Sequence, residues 1–217
     1  VKADYVAAKP AGLSFEEAAT VPLAGVTALQ GLRDKGGVTA GLKVLINGAS
    51  GGVGHFAVQI AAHLGAEVTA VCSGRNAEMV RSLGADHVID YTERDFTRDA
   101  DRYDVIFDLI GNHSVTALRR SLAEGGTYVG GHGQPEHLWL GPILFMVRAA
   151  IGNVFTRKTL KPFVARLSAD DLGLLAEMAE AGTLRPVIEK TFPLEETADA
   201  FRHLETWRTR GKIAITI

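Results

Sequence analysis

Between an apolar run, Lys43 to Ile46, and a helical stripe beginning at Val53 stands the segment Gly48-Ala49-Ser50-Gly51-Gly52-Val53-Gly54. No other feature restricts the fold of this chain as much. A short apolar run bounded by turn residues reads as a buried parallel strand. Val53, Phe56, Ala57, Ile60, Ala61 and Leu64 fall on one face of a helix packed on a sheet, and Gly65 closes that helix as a C-terminal cap. The rhythm then recurs. Leu64-Gly65-Ala66 leads into a strand over Glu67 to Cys72, and Leu83-Gly84-Ala85 leads into a strand over His87 to Asp90. Further strands are predicted at Asp104 to Ile110 and Thr127 to Gly130, with a short helix near Ser114 to Leu122 between them. Parallel neighbours need crossover helices, so the alternation predicts an α/β fold with a doubly wound parallel sheet of the Rossmann type.

Both flanks carry further elements. Ser14 and Glu17 have capping-box spacing and open a predicted helix from Phe15 to Lys35, with Pro22 breaking or re-initiating it. Beyond Gly130 a Gly/Pro-rich loop interrupts the rhythm, followed by an apolar stretch, Leu138 to Phe155. Gly141, Pro142, Arg148 and Gly152 break that stretch, so it reads as no membrane span. A helix follows Ser168, where Asp171 again gives capping-box spacing. The chain closes with a strand near Val187 to Thr191, a helix near Leu194 to Leu204 and a strand over Lys212 to Ile217, elements that need a partner sheet.

Composition narrows the function classes. A net charge of −2 and a pI near 6.4 supply no basic stripe for a phosphate backbone, so a nucleic-acid partner is not expected. The single Cys72 excludes a disulfide framework and a Cys-rich zinc site, and it fits a reducing compartment, with cytoplasm the expected location. The chain starts at Val1 rather than Met, so no targeting signal can be read from it.

A glycine-rich turn between a strand and a helix lets backbone approach a pyrophosphate, where the helix N-terminus offers free N–H groups and a positive dipole end. Here the spacing is GxxGxxG, a variation on GxGxxG, and its position carries the reading. No Lys follows the glycines, which excludes a phosphate loop of the Walker type. The same residues match GxSxG, a nucleophile elbow centred on Ser50, so a serine hydrolase is the rival. That rival would recruit Asp108 and His132, and it leaves Gly54 and the residues after the second strand without a role. Those residues run Val71-Cys72-Ser73-Gly74-Arg75-Asn76. An acid there would grip a ribose 2′-hydroxyl, whereas a cation suits a 2′-phosphate. Glu67 lies at the wrong end of the strand. Ser73 can donate a hydrogen bond and Arg75 can fork onto phosphate, so NADPH is favoured over NADH.

Pro22-Leu23-Ala24-Gly25-Val26-Thr27-Ala28, Asn47 to Gly54, Leu83-Gly84-Ala85-Asp86-His87-Val88-Ile89-Asp90-Tyr91 and Gly211-Lys212-Ile213-Ala214-Ile215 occur in that order along the chain. Together they resemble the medium-chain dehydrogenase/reductase superfamily, most of all its zinc-free, quinone-oxidoreductase-like branch. The resemblance implies an NADPH-dependent transfer of hydride to a quinone, an enone or a similar carbonyl compound, in a homodimer. It implies that Thr27 lies near the nicotinamide and that Ser73, Arg75 and Tyr91 lie near the 2′-phosphate. Leu109, Ile110 and Gly111, with Gly130, Gly131 and His132, would follow the length of the cofactor. Zinc-dependent members have a cysteine ligand in the segment matching Leu23 to Gly25, where this chain has Ala24. The family also begins with a GroES-like catalytic domain. On that basis residues 1–13 are its tail, 14–186 the NADP-binding domain and 187–217 a return to the catalytic domain, and the chain is a fragment. The alternative is a cofactor-binding module without turnover.

No catalytic residue is assigned, because hydride transfer of this kind needs positioning and desolvation more than a fixed acid. His132, Glu136 and His137 share a loop, but two histidines five apart on a loop are a poor metal site, and no metal is expected. His55 and His63 read as surface residues of the first crossover helix. Asp108 either orients the nicotinamide region or caps a neighbouring turn. Leu138 to Phe155 is either a flap over the nicotinamide half of the cleft or a dimer contact.

Overall fold

The computed structural model describes residues 2–130 and 158–217. Six strands form one parallel sheet: β1 (Lys43–Asn47), β2 (Glu67–Cys72), β3 (His87–Asp90), β4 (Tyr103–Asp108), β5 (Leu122–Gly130) and β6 (Thr159–Pro162). Their spatial order is β3-β2-β1-β4-β5-β6, the doubly wound order of dinucleotide-binding folds. Helices α2 (Gly54–His63), α3 (Ala77–Ser82) and α4 (Val115–Ser121) connect neighbouring strands. Helix α1 (Phe15–Gln30) precedes the sheet, and α5 (Ala169–Glu180) follows it.

The sheet is buried on both faces because its strands are apolar at successive positions. Val44 and Ile46 join Phe56, Ile60, Val68 and Phe107 in one core, while Leu45 joins Val71, Ile106, Leu118 and Tyr128 in the other. Successive side chains of one strand thus feed opposite layers, as the pleat requires. Strands β2 and β3 have the predicted ends. Strand β4 stops at Asp108 rather than Ile110, because the Asp108 carboxylate takes the N–H groups of Ile110 and Gly111 away from the ladder. Strand β6 is an addition to the predicted set; it ends on Pro162 at the sheet edge, where a missing N–H is tolerated.

Pro22 neither breaks nor restarts α1, which runs through it. The apolar face Val21, Ala24, Val26, Ala28 and Leu29 is buried in the core, and that burial outweighs one lost backbone bond. After Gln30 the helix widens into a π-helical turn over Gly31–Gly36 and is closed by Gly37 at φ 64°. Gly31 is required there, since a Cβ would meet the Phe107 ring at 2.6 Å.

The expected capping box at Ser168 is half right. The Ser168 hydroxyl accepts from the Asp171 N–H at 3.4 Å, but the Asp171 side chain points the other way. It accepts from Gln30 Nε2 at 2.6 Å and Arg33 Nη2 at 2.8 Å, which ties α5 to α1.

Of the last elements, β7 (Ile188–Pro193), α6 (Thr197–Leu204) and β8 (Lys212–Thr216), the two strands pair in parallel as a two-stranded sheet apart from the six-stranded one. They are docked on the first βαβ unit. Gly211 N–H donates to Ser50 O at 2.8 Å, and Gln59 exchanges two hydrogen bonds with Arg185.

Replacing Asp171 by Ala removes the acceptor that ties Gln30 and Arg33 to α5, while Gln30 keeps Arg166 O and Arg33 keeps Asp34, and the free energy of unfolding should fall by about 1 kcal/mol. Urea titration would show it. Glu177→Ala, at an exposed position of the same helix, should stay within about 0.5 kcal/mol of the parent.

Candidate cofactor-binding site

Strands β1 and β4 are neighbours whose following helices lead to opposite sides of the sheet, so a crevice opens at their carboxyl ends. Its floor is a polar knot. Asn47 Nδ2 donates to Asp108 Oδ1 at 2.9 Å and to Asn112 Oδ1 at 3.1 Å. Asp108 Oδ1 also accepts from Ile110 N at 3.0 Å and Gly111 N at 2.9 Å, and Oδ2 accepts from the Tyr128 hydroxyl at 3.1 Å. Of the two roles open to Asp108, the geometry shows the cap.

The glycine turn wraps over this floor. Gly48 has φ 86°, and a Cβ on it would meet Ile110 Cδ1 at 2.8 Å. A Cβ on Gly54 would lie 2.1 Å from Gly48 O, so only glycine lets α2 start this close to β1. Gly48 and Ala49 spend their N–H groups on Val71 O, and Ala49 is fully buried. The N–H groups of Gly52 and Val53 have no backbone acceptor among the described residues, which leaves them for an anion at the start of α2.

Two cavities meet at the turn. One, of about 550 Å³, is lined by Ser50, Ser73, Arg75, Asn76, Tyr91 and Ile110, among others. The second, of about 560 Å³, lies against Gly52, Val53, Gly54, Leu109, Ile110 and Lys212. Both are of the size that holds small-molecule ligands. The predicted residues thus divide between the two sides. Asn76 is buried and donates to Ser50 Oγ at 3.0 Å and to Ser73 Oγ at 3.3 Å. Ser50 Oγ thus accepts from an amide, which links the turn to the end of β2. Arg75 is exposed and donates through Nη2 to Arg208 O at 2.7 Å. Tyr91 is exposed beside it. Glu67 lies at the far end of β2, paired with His87 at 2.9 Å.

Other predicted residues are placed elsewhere. Thr27 lies on α1, donates to Leu23 O at 2.7 Å and lines neither cavity. Gly130 ends β5 opposite Asp108, and Gly111 is held by the Asp108 carboxylate. Gly131, His132, Glu136, His137 and the stretch Leu138 to Phe155 lie outside the described residues. Among the described residues no cluster of His, Cys, Asp and Glu could hold a metal ion, and no helix is long and apolar enough to cross a membrane.

Two residues gain importance that sequence reasoning missed. Lys212 Nζ approaches the Gly52 position, 3.7 Å from where a Cβ would be. Among the described residues no carboxylate pairs with this ammonium, and burial pushes its pKa down. A half-buried ammonium with no carboxylate partner among the described residues, beside N–H groups without backbone acceptors, is suited to an anion. Its only trace in the sequence is the Gly211-Lys212 pair. His55 overturns the surface reading, which holds for His63 alone: His55 has no exposure. Its Nδ1 is bonded to Gly51 O at 3.0 Å, and its Nε2 has no partner among the described residues. The ring packs on Phe56 at 4.0 Å.

Comparison with known proteins shows the family. A family model described as "Zinc-binding dehydrogenase" matches residues 83–215, more than half of the chain. The chain belongs to the medium-chain dehydrogenase/reductase superfamily. It is 36% identical over 242 residues to "NAD(P)H oxidoreductase RTN4IP1, mitochondrial" of Bos taurus, covering 100% of this chain and 59% of that protein. It is 34% identical over 221 residues to the "NADPH-dependent alkenal/one oxidoreductase, chloroplastic" of Arabidopsis thaliana, covering 99% of this chain and 50% of that one. The solved quinone oxidoreductase from Coxiella burnetii superposes with a TM-score of 0.83 at 31% identity, covering 97% of this chain and 63% of its own. The chain thus spans between half and two thirds of the length of these relatives.

Burial holds His55 neutral, pushing its pKa from 6.5 down to about 4. The unfolded chain takes up a proton between those values that the folded chain refuses, so stability is lost as pH falls through that window, by about 3 kcal/mol in all. His55→Gln should flatten the loss in urea titrations between pH 6.5 and pH 4. An unchanged slope would place the titrating group elsewhere.

Proposed function

We propose that this chain binds NADPH across the glycine turn and belongs to an enzyme that reduces a quinone, an enone or a similar electron-poor carbonyl compound. The observation that carries this reading is the Lys212 ammonium beside Gly52, with no carboxylate partner among the described residues, on a ligand-sized cavity that meets a second one, presenting Arg75, at Gly48, Gly51 and Ile110. A dinucleotide has the matching shape: a doubly charged pyrophosphate in the middle and a nucleoside on either side.

The residues present fit the cofactor. Gly52 and Val53 N–H groups and Lys212 would hold the pyrophosphate. Ser73 and Arg75 would take the 2′-phosphate, with Asn76 fixing the Ser73 hydroxyl and Tyr91 alongside. One guanidinium N–H of Arg75 is used on Arg208 O, and the others remain for phosphate. The names of the relatives leave NAD against NADP open, so the choice rests on these side chains and on the absence of an acid at the end of β2.

When bound, the cofactor supplies the hydride. The contribution of this chain is placement and exclusion of water: Leu109, Ile110, Val53 and Ile213 form an apolar wall on the second cavity, where a nicotinamide would face an apolar substrate. No side chain is assigned as an acid. Ala24, where zinc-dependent members have a cysteine, supports zinc-free chemistry. A homodimer formed through the sheet edge and a return of residues 187–217 to a catalytic domain complete the proposal.

Two substitutions separate the contacts. Arg75→Ala should weaken NADPH binding about tenfold or more and leave NADH unchanged, because the lost bond is a charged one to the 2′-phosphate. Lys212→Met should weaken both cofactors by a similar factor. Fluorescence titration of the dihydronicotinamide reads both. Equal binding of NADPH and NADH by the parent chain would sink the NADPH assignment. Oxidation of NADPH in the presence of quinones and enones tests turnover, and tight binding with no oxidation would favour the binding-module alternative.

A further inference from the structure

The segment 205–211, which joins α6 to β8, borders both cavities. It is fastened at two points to the first βαβ unit: Gly211 N–H donates to Ser50 O at 2.8 Å, and Arg75 Nη2 donates to Arg208 O at 2.7 Å. Between those fastenings and the end of α6 stands Trp207, which lines both cavities.

Trp207 has φ 55°, the one positive value at a non-glycine residue among those described. The position follows the end of a helix, where Gly or Asn usually takes the left-handed conformation. A bulky side chain is disfavoured there. The indole is 83% exposed, so packing within the described chain does not compensate. Neither backbone conformation nor burial accounts for a tryptophan at this position, and strained residues of this kind gather at ligand sites. Its surroundings point the same way. Arg75 and Arg208 flank it at the cavity that also holds Ser73, Asn76 and Tyr91. An adenosine phosphate placed there would set its charge on the arginines and its base within reach of the indole.

We infer that Trp207 is a cofactor-contacting residue, its indole stacking on the adenosine half of a bound adenine dinucleotide phosphate. This rests on the dinucleotide reading above and adds a contact to it. The fastening by Arg75 gives the contact a selective component, because the guanidinium that would grip the 2′-phosphate also positions the strap that carries the indole.

The chain has two tryptophans, so in a Trp139→Phe background Trp207 is the sole indole fluorophore. Adenosine 2′,5′-bisphosphate, which carries the adenosine half alone, should quench its emission, and NADPH should do the same; nicotinamide mononucleotide should not. Trp207→Gly removes the indole and relieves the backbone. Its melting temperature should therefore hold or rise while calorimetric binding of adenosine 2′,5′-bisphosphate weakens about tenfold, the scale of an aromatic–base stack. Trp207→Phe should recover most of that affinity. Unquenched emission at saturation, or full affinity in Trp207→Gly, would overturn the inference and leave the dinucleotide reading standing; an indole that packs on another part of a longer protein gives this result. A drop in melting temperature in both variants, with equal losses of affinity, would also overturn it by assigning a structural role. A parent chain that binds neither NADPH nor the bisphosphate removes the dinucleotide reading and this inference with it.

Discussion

The carboxylate of Asp108 has no exposure to solvent, and the crevice is arranged around keeping it satisfied. A buried charge without partners is prohibitively costly, so its donors must be delivered with good geometry. They come from β1 (Asn47), from the loop after β4 (Ile110 and Gly111) and from β5 (Tyr128). One interaction thus holds the carboxyl ends of three adjacent strands and the loop beyond them in a single arrangement. Ile110 is pressed against Gly48 by that loop, and the glycine turn has its floor.

From this floor the electrostatics of the site follow. The turn uses some of its N–H groups to bond back to β2 and leaves others facing outward at the start of α2. Lys212 adds a cation from the opposite end of the chain, and Arg75 adds one at the outer cavity. His55, buried just behind the turn, is kept neutral, so no additional positive charge builds up beneath Lys212. The polar groups of the site are thereby set before any ligand arrives, which lowers the cost of ordering on binding.

Much of this was legible in the chain. The apolar runs at β1, β2 and β3, the glycine stops and the βαβ rhythm read directly as a doubly wound sheet, because strand burial and helix capping are local properties. Three readings failed for a common reason. Pro22 sits inside a continuous helix, Asp171 turns away from its own cap, and His55 lies in the core. Each outcome is decided by a partner far along the chain. Gln30 and Asp171 are 141 residues apart, and no local pattern reports such a pair.

The glycine-rich turn, its place between strand and helix, the absence of an acid after β2 and the presence of Arg75 were determined by sequence alone, since they depend on which residues occupy neighbouring positions. Tertiary structure alone decided that Lys212 reaches Gly52, that Arg75 fastens the strap at Arg208, and that Trp207 stands exposed beside both cavities. The physical reason is that an anion site needs charges converging on one point, and convergence is a property of the folded chain rather than of any segment of it.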